Sequence, residues 1–225
     1  MRPNSTPLAL ALAASTTLMA ATFVSSAQAE TTLSIFGGAN FSPHSTVDYD
    51  FNSGTSGSET VAWDGASFEY PPYWGARINY WFDQAPAWGV GLEFTHAKVK
   101  ADPLPADFDK LEFTDGINFL TLNAYYRYDT QTEWTPYAGV GLGLSIPHVE
   151  VIEAGSTVET IEYQVTGFAA QALVGVDYAI TDNWSAFAEY KMTYGQVEAD
   201  LSDGGSLSTD IISNQILFGI TYKLF

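Results

Sequence analysis

Polar and apolar residues alternate without a break from Tyr137 to Ile146. Ala138, Val140, Leu142, Leu144 and Ile146 form one face, and Tyr137, Gly139, Gly141, Gly143 and Ser145 form the other. A period of two marks a β-strand, and this stretch matches the ~9–11 residues a tilted strand needs to cross a bilayer. Seven further segments carry the same pattern, each with one apolar face: Leu33–Phe41, Tyr73–Phe82, Gly89–Lys98, Asn118–Tyr128, Thr166–Ile180, Trp184–Tyr194 and Ile212–Phe225. Three connections are short, Asp83–Trp88, Asp129–Thr135 and Thr181–Asn183, and each ends at or near a tryptophan, Trp88, Trp134 or Trp184. The other four are long, acidic and rich in Gly, Ser and Asp. Short turns at one end, long loops at the other, an even strand count and an aromatic belt are the marks of an outer-membrane barrel. The pattern predicts an all-β protein, an eight-stranded antiparallel up-and-down transmembrane β-barrel.

Composition narrows the setting. Arg2, an apolar run from Leu8 to Val24 and Ala27-Gln28-Ala29 have the layout of a secretory signal peptide. Residues 1–29 are therefore assigned to the leader and residues 30–225 to the barrel. After the leader there is no run of the ~18 apolar residues that a spanning helix requires. A membrane chain of this kind must close into a barrel, because an open sheet edge leaves backbone groups unpaired in lipid. There is no cysteine, and hence no disulfide framework or lipoprotein anchor. The formal net charge of −18 lacks the basic footprint that nucleic acid needs. The expected location is the bacterial outer membrane, as a multi-pass monomer.

Strand parity sends Arg77, Glu93, Arg127, Asp177, Glu189, Lys191 and Lys223 into the lumen. An eight-stranded barrel is just wide enough for side chains to fill, and buried charges must be paired. A salt-bridged plug is expected, which excludes a general porin. Gly139, Gly141 and Gly143 alternate along a strand rather than opening a helix, so they make room for interior neighbours and do not form a phosphate loop. The chain shows no GxSxG, HExxH or kinase-type motif.

The three histidines, His44, His96 and His148, each lie at the outer end of a strand. Parity turns His44 inward or into its loop and turns His96 and His148 toward lipid. Lys98, Asn118 and Glu150 share that outward face, with Asp115 close by. An imidazole near a carboxylate is a common general base or metal ligand. His96, His148, Glu150 and Asn118 are thus candidate catalytic residues, expected at one height across neighbouring strands. Lys98, Trp63 and Tyr73 are candidate substrate contacts, and Asp115 and Glu150 candidate metal ligands. The acidic outer loops suit hard cations, Mg²⁺ or Ca²⁺, which favour carboxylate oxygens.

The stretches SPHS (42–45), WDGASFEYPPYWGAR (63–77), FTHAKV (94–99), LEFTDGINFLTLNA (111–124), TPYAGVGLGLSIPHVEV (135–151) and DLSDGGSLSTDIISN (200–214) together resemble the outer-membrane lipid A oxidase family of rhizobia and related bacteria. The resemblance implies oxidation of the proximal glucosamine of lipid A to 2-aminogluconate. O2 would be the co-substrate, hydrogen peroxide would be released, and a divalent cation would take part. It implies lipid A, or lipopolysaccharide, in the outer leaflet as the partner. No flavin or haem signature is visible. Two other functions fit the same barrel, a non-enzymatic structural or adhesive surface protein and a lipid A hydrolase using a histidine and a serine.

Overall fold

The computed structural model describes residues 29–225. The signal-peptide assignment lies outside the described residues. Twelve strands follow in order: β1 (Glu30–Phe41), β2 (Ser45–Asp50), β3 (Ser56–Val61), β4 (Trp63–Asp64), β5 (Trp74–Phe82), β6 (Ala85–Ala101), β7 (Phe108–Arg127), β8 (Trp134–Glu153), β9 (Glu159–Tyr163), β10 (Gly167–Ala179), β11 (Trp184–Asp200) and β12 (Ser206–Lys223). Eight of them pair in the cycle β1-β5-β6-β7-β8-β10-β11-β12, and β1 returns to β12 to close it. Every pairing is antiparallel. These are the eight strands that the alternation predicts.

Below the outer rim, the outward positions are apolar and open, as lipid requires. Val140 is 63% exposed, Leu142 61%, and Phe218 65%. At the end with short turns, three tryptophans each face a tyrosine across the ladder: Trp88 with Tyr126, Trp134 with Tyr178 and Trp184 with Tyr222. Ring centroids are 4.9, 4.6 and 4.7 Å apart, so these pairs form the interfacial belt.

The lumen holds the expected plug. Arg77 grips both oxygens of Glu189 at 2.7 Å, and its Nε lies 2.9 Å from Glu93. Lys191 Nζ is 2.6 Å from the other Glu93 oxygen. Gln171 and Tyr137 donate to the same two carboxylates. At the periplasmic mouth Glu30 pairs with Arg127 and Lys223, while Asp177 accepts from Ser185. The strand glycines leave room as expected: a Cβ on Gly139 would meet the Tyr125 ring, and one on Gly141 would meet the Asn123 amide.

The outer third holds more strand than the four long connections suggest. The strands run on beyond the membrane, and their alternation changes phase. On β8 the apolar set passes from outward Leu142, Leu144 and Ile146 to inward Val149 and Val151. On β11 it passes from outward Tyr190 and Met192 to inward Val197 and Ala199. With Val47, Val99, Phe113, Ile117 and Ile211, these form a dry extracellular core. Here the outside is water, so burial favours the inward face instead. The β2–β3 hairpin pairs with the outer end of β12, β4 with that of β6, and β9 with that of β8. Several outer carboxylates accept hydrogen bonds within this extension: Asp109 from the Gly155 amide, Asp203 from the Asn52 amide and Asp107 from the Tyr49 hydroxyl.

Candidate functional site

The phase change leaves a ring on the outer wall where lipid-facing apolar positions give way to polar ones. On β6 the outward sequence is Leu92, Phe94, His96 and Lys98. On β7 it is Leu122, Leu120 and Asn118, and on β8 it is Ile146, His148 and Glu150. All five polar residues point outward, as parity predicts, yet all five are buried. Other parts of the chain cover them. The segment from Gly65 to Tyr73 lies over β6, where Lys98 Nζ donates to the carbonyls of Glu69 and Tyr70 at 3.2 and 3.5 Å. Tyr163 of β9 lies on His148, with ring centroids 4.6 Å apart.

The two histidines have different surroundings. His96 is directly opposite Asn118, and its Nδ1 is 2.9 Å from Asn118 Oδ1. The Asn118 amide nitrogen donates to the Ile146 carbonyl, which turns its oxygen toward the imidazole. That oxygen can only accept, so Nδ1 of His96 carries the proton and Nε2 has a free lone pair. Nε2 is buried, and among the described residues it has no hydrogen-bond partner. The ring stacks on Trp74 at 6.3 Å.

His148 stands higher. Asn118 pairs with Ile146, so His148 lies two residues further out along β8, and the expectation of one height for all three residues is corrected. The register of β7 against β8 shifts between Glu112 and Ile117, which pushes out Asp115 and Gly116. Gly116 has φ +115°, a left-handed value that favours glycine, and a Cβ there would come within 2.4 Å of Asn118 Oδ1 and 2.5 Å of His96 Nδ1. The bulge aims Asp115 at His148, with Oδ2 3.7 Å from Nδ1. Glu150 Oε1 is 3.1 Å from the same nitrogen. Thr114 Oγ1 donates to Glu150 Oε1 at 3.2 Å, and Lys110 binds Oε2.

Glu150, Lys110 and Tyr163 lie beyond the apolar band. Burial alone would raise the Glu150 carboxyl, but hydrogen bonds from Lys110, His148 and Thr114 outweigh it and hold the group below its usual range. Burial works to lower Lys110, yet its two carboxylate partners, Glu150 and Glu112, raise it.

Two of the expected substrate contacts lie elsewhere. Tyr73 precedes outward-facing Trp74 and so points into the lumen, where its hydroxyl donates to Gln215 at 2.5 Å. Trp63 lies inside the extracellular core against Phe113 and donates to Ser45. His44 is exposed in the connection between β1 and β2. Thr114, Lys110 and Tyr163 were not foreseen, because the bulge of β7 and the lane of β9 bring them to the site.

The chain matches the model of the outer membrane protein beta-barrel domain family over residues 8–223. It is 33% identical over 114 residues to the outer membrane protein PagN of Salmonella typhimurium, covering 45% of this chain and 47% of that protein. The chain thus matches about half the length of this curated relative. Among solved structures, Neisserial surface protein A aligns at a TM-score of 0.48 with 17% identity, covering 87% of this chain and 98% of that one. Ail, the attachment invasion locus protein of Yersinia pestis, aligns at 0.38 with 13% identity, covering 84% and 99%. The family match spans the closed barrel and its outer ring alike, and the chain belongs to the outer membrane protein beta-barrel domain family and resides in the bacterial outer membrane.

Proposed function

We propose that this barrel modifies the headgroup of lipid A in the outer leaflet, oxidising its proximal glucosamine to 2-aminogluconate. The observation that carries the reading is His96: an outward imidazole at the membrane's outer edge, its tautomer fixed by Asn118 and its Nε2 a proton acceptor that a headgroup reaches once the covering Gly65–Tyr73 segment moves aside. A positioned base of this kind is worth about 10²–10⁴ in rate. The substrate's C1 hydroxyl gives its proton to His96. The C1 hydrogen leaves with two electrons to O2, and the proton held by His96 passes to the resulting hydroperoxide, which departs as hydrogen peroxide. Water then opens the resulting lactone to the aminogluconate. Lys98, buried under the Gly65–Tyr73 segment and without a carboxylate partner among the described residues, adds a positive charge suited to an anionic headgroup. The resemblance of the loop stretches to the lipid A oxidases supports the oxidative chemistry.

A second reading, a surface-binding barrel without chemistry, is favoured by the extracellular extension, which packs an apolar core beneath connections rich in Asp and Glu. The hydrolase reading has less support: among the described residues, neither histidine is hydrogen-bonded to a serine.

The test is mass spectrometry of lipid A with a free anomeric hydroxyl after incubation with the purified barrel in air. Gain of one oxygen, ~16 Da, supports oxidation. Loss of an acyl chain supports a hydrolase, and an unchanged mass supports the inert barrel. His96→Ala should abolish the gain while the barrel still folds, and His44→Ala should not.

A further inference from the structure

We propose that Asp115, His148 and Glu150 bind a first-row transition-metal dication at the extracellular rim, with His148 as a ligand rather than a base. The inference goes beyond lipid chemistry and does not depend on it. The ligand atoms of the three side chains all lie within 4.8 Å of one another. The shorter separations from His148 Nδ1 are 3.1 Å to Glu150 Oε1 and 3.7 Å to Asp115 Oδ2. An ion bonded at ~2.0–2.2 Å holds neighbouring donors about 3–3.5 Å apart, so little movement is needed to accept one.

The donors come from two strands and are fixed separately. His148 and Glu150 are two residues apart on the outward face of β8. Asp115 reaches them only because the β7 bulge, with Gly116 at positive φ, turns it outward. Each donor also has an outer partner. Lys110 takes Glu150 Oε2, leaving Oε1 toward His148. Tyr163 packs against the imidazole with the rings tilted by 54°, and donates through its hydroxyl to the Asp115 carbonyl at 3.0 Å. Such second contacts orient ligands and commonly govern affinity by 10–100-fold.

The chemistry of the set selects the ion. Two carboxylates with a neutral imidazole supply two negative charges, one of them shared with Lys110, to a dication. Mg²⁺ and Ca²⁺ favour oxygen donors throughout, whereas an imidazole nitrogen favours Mn, Fe, Co, Ni, Cu or Zn. Mg²⁺ or Ca²⁺, expected from the acidic loops, is therefore not the ion this trio suits best. Three protein donors leave further coordination positions open toward solvent, since Asp115 is largely exposed.

The experiment uses the full barrel in detergent, stripped with chelator and titrated with Co²⁺, read by visible absorption and by metal content after gel filtration. One equivalent of Co²⁺ should bind at micromolar concentration, competed by Zn²⁺ and not by millimolar Mg²⁺ or Ca²⁺. His148→Ala and Asp115→Asn should remove it, and Asp115→Asn, at an exposed site, leaves the fold as a control. Tyr163→Phe should weaken it by about 10-fold or more, while His96→Ala should leave it unchanged. Wild-type affinity in both Asp115→Asn and His148→Ala, or displacement by Ca²⁺ at equal concentration, overturns the assignment. Because the readout is binding, an oxidase-inactive protein that still takes up one Co²⁺ would refute the lipid reading and leave the metal site standing.

Discussion

Replacing Lys191 with Met keeps the length and packing of the side chain but removes one of the four charges of the central lumenal cluster. Arg77 and Lys191 balance Glu93 and Glu189, and all four side chains are almost wholly buried. Lys191 Nζ and Glu93 Oε1 are 2.6 Å apart, which at an effective dielectric of ~20 is worth about 6 kcal/mol of attraction. Desolvation cancels part of this, and removing one partner of such a pair costs about 3–5 kcal/mol, because the remaining carboxylate is stranded. The lost bond to Thr95 Oγ1 falls within that range. Lys191→Met alone should therefore lower unfolding stability by about 3–5 kcal/mol. Adding Glu93→Gln restores neutrality, since Arg77 and Glu189 remain paired, and should recover a substantial part of the loss. Urea unfolding of the barrel in lipid vesicles, followed by tryptophan fluorescence, measures both. If the two costs simply add, the lumen is wetter than its geometry indicates and the plug argument fails.

Leu142→Arg, at an open mid-strand position, should cost about 2–4 kcal/mol in the same vesicle assay; a cost near zero would place that face away from lipid. Gly143→Ala should be worse than Gly141→Ala, because a new Cβ meets the Leu120 carbonyl at 2.0 Å in the first case and the movable Asn123 side chain in the second; equal melting temperatures would contradict this. Glu150 is held below its usual range, so its contribution to stability is complete above the unfolded value of ~4.3 and fades as pH falls further through the folded value. Metal-free Glu150→Gln protein should lose that part of the acid dependence of the urea midpoint, and an unchanged profile would show that the carboxyl contributes nothing there.

Strand parity was legible because lipid outside and charge inside impose opposite demands on alternate residues. It placed Arg77, Glu93, Glu189 and Lys191 in the lumen and His96, Lys98, Asn118, His148 and Glu150 on the outer wall. The same rule hid the extracellular third. Above the membrane the apolar residues move to the inward face, so a search for one continuous apolar face stops at Lys98, Ile146 and Tyr194, where the strands in fact continue. Tyr73 was readable as lumenal, being one residue from Trp74, and choosing it for substrate binding ran against its own parity. Trp63 follows the inverted phase of the extension. The height of His148 was lost for a different reason. The β7 bulge between Glu112 and Ile117 adds residues that alternation cannot register, and it also delivers Asp115 to the site. The cover over Lys98 depends on how the Gly65–Tyr73 segment folds back, which no local pattern specifies.

The inversion also explains why the site sits where it does. Below the ring, an outward polar side chain would face hydrocarbon without a partner, at a cost of several kcal/mol. Above it, the same side chain would face water and be screened. Only at the changeover can an outward residue be polar, shielded from bulk water and within reach of a lipid headgroup. Shielding there requires chain laid against the outer wall, and two segments supply it, Gly65–Tyr73 over His96 and Lys98 and β9 over His148. The cover buries Lys98 against the carbonyls of Glu69 and Tyr70, and among the described residues no carboxylate forms an ion pair with it. Leaving the segment off the wall would let Lys98 stay hydrated. A local conflict of this kind within an otherwise consistent fold is what the headgroup-binding role proposed for Lys98 would account for.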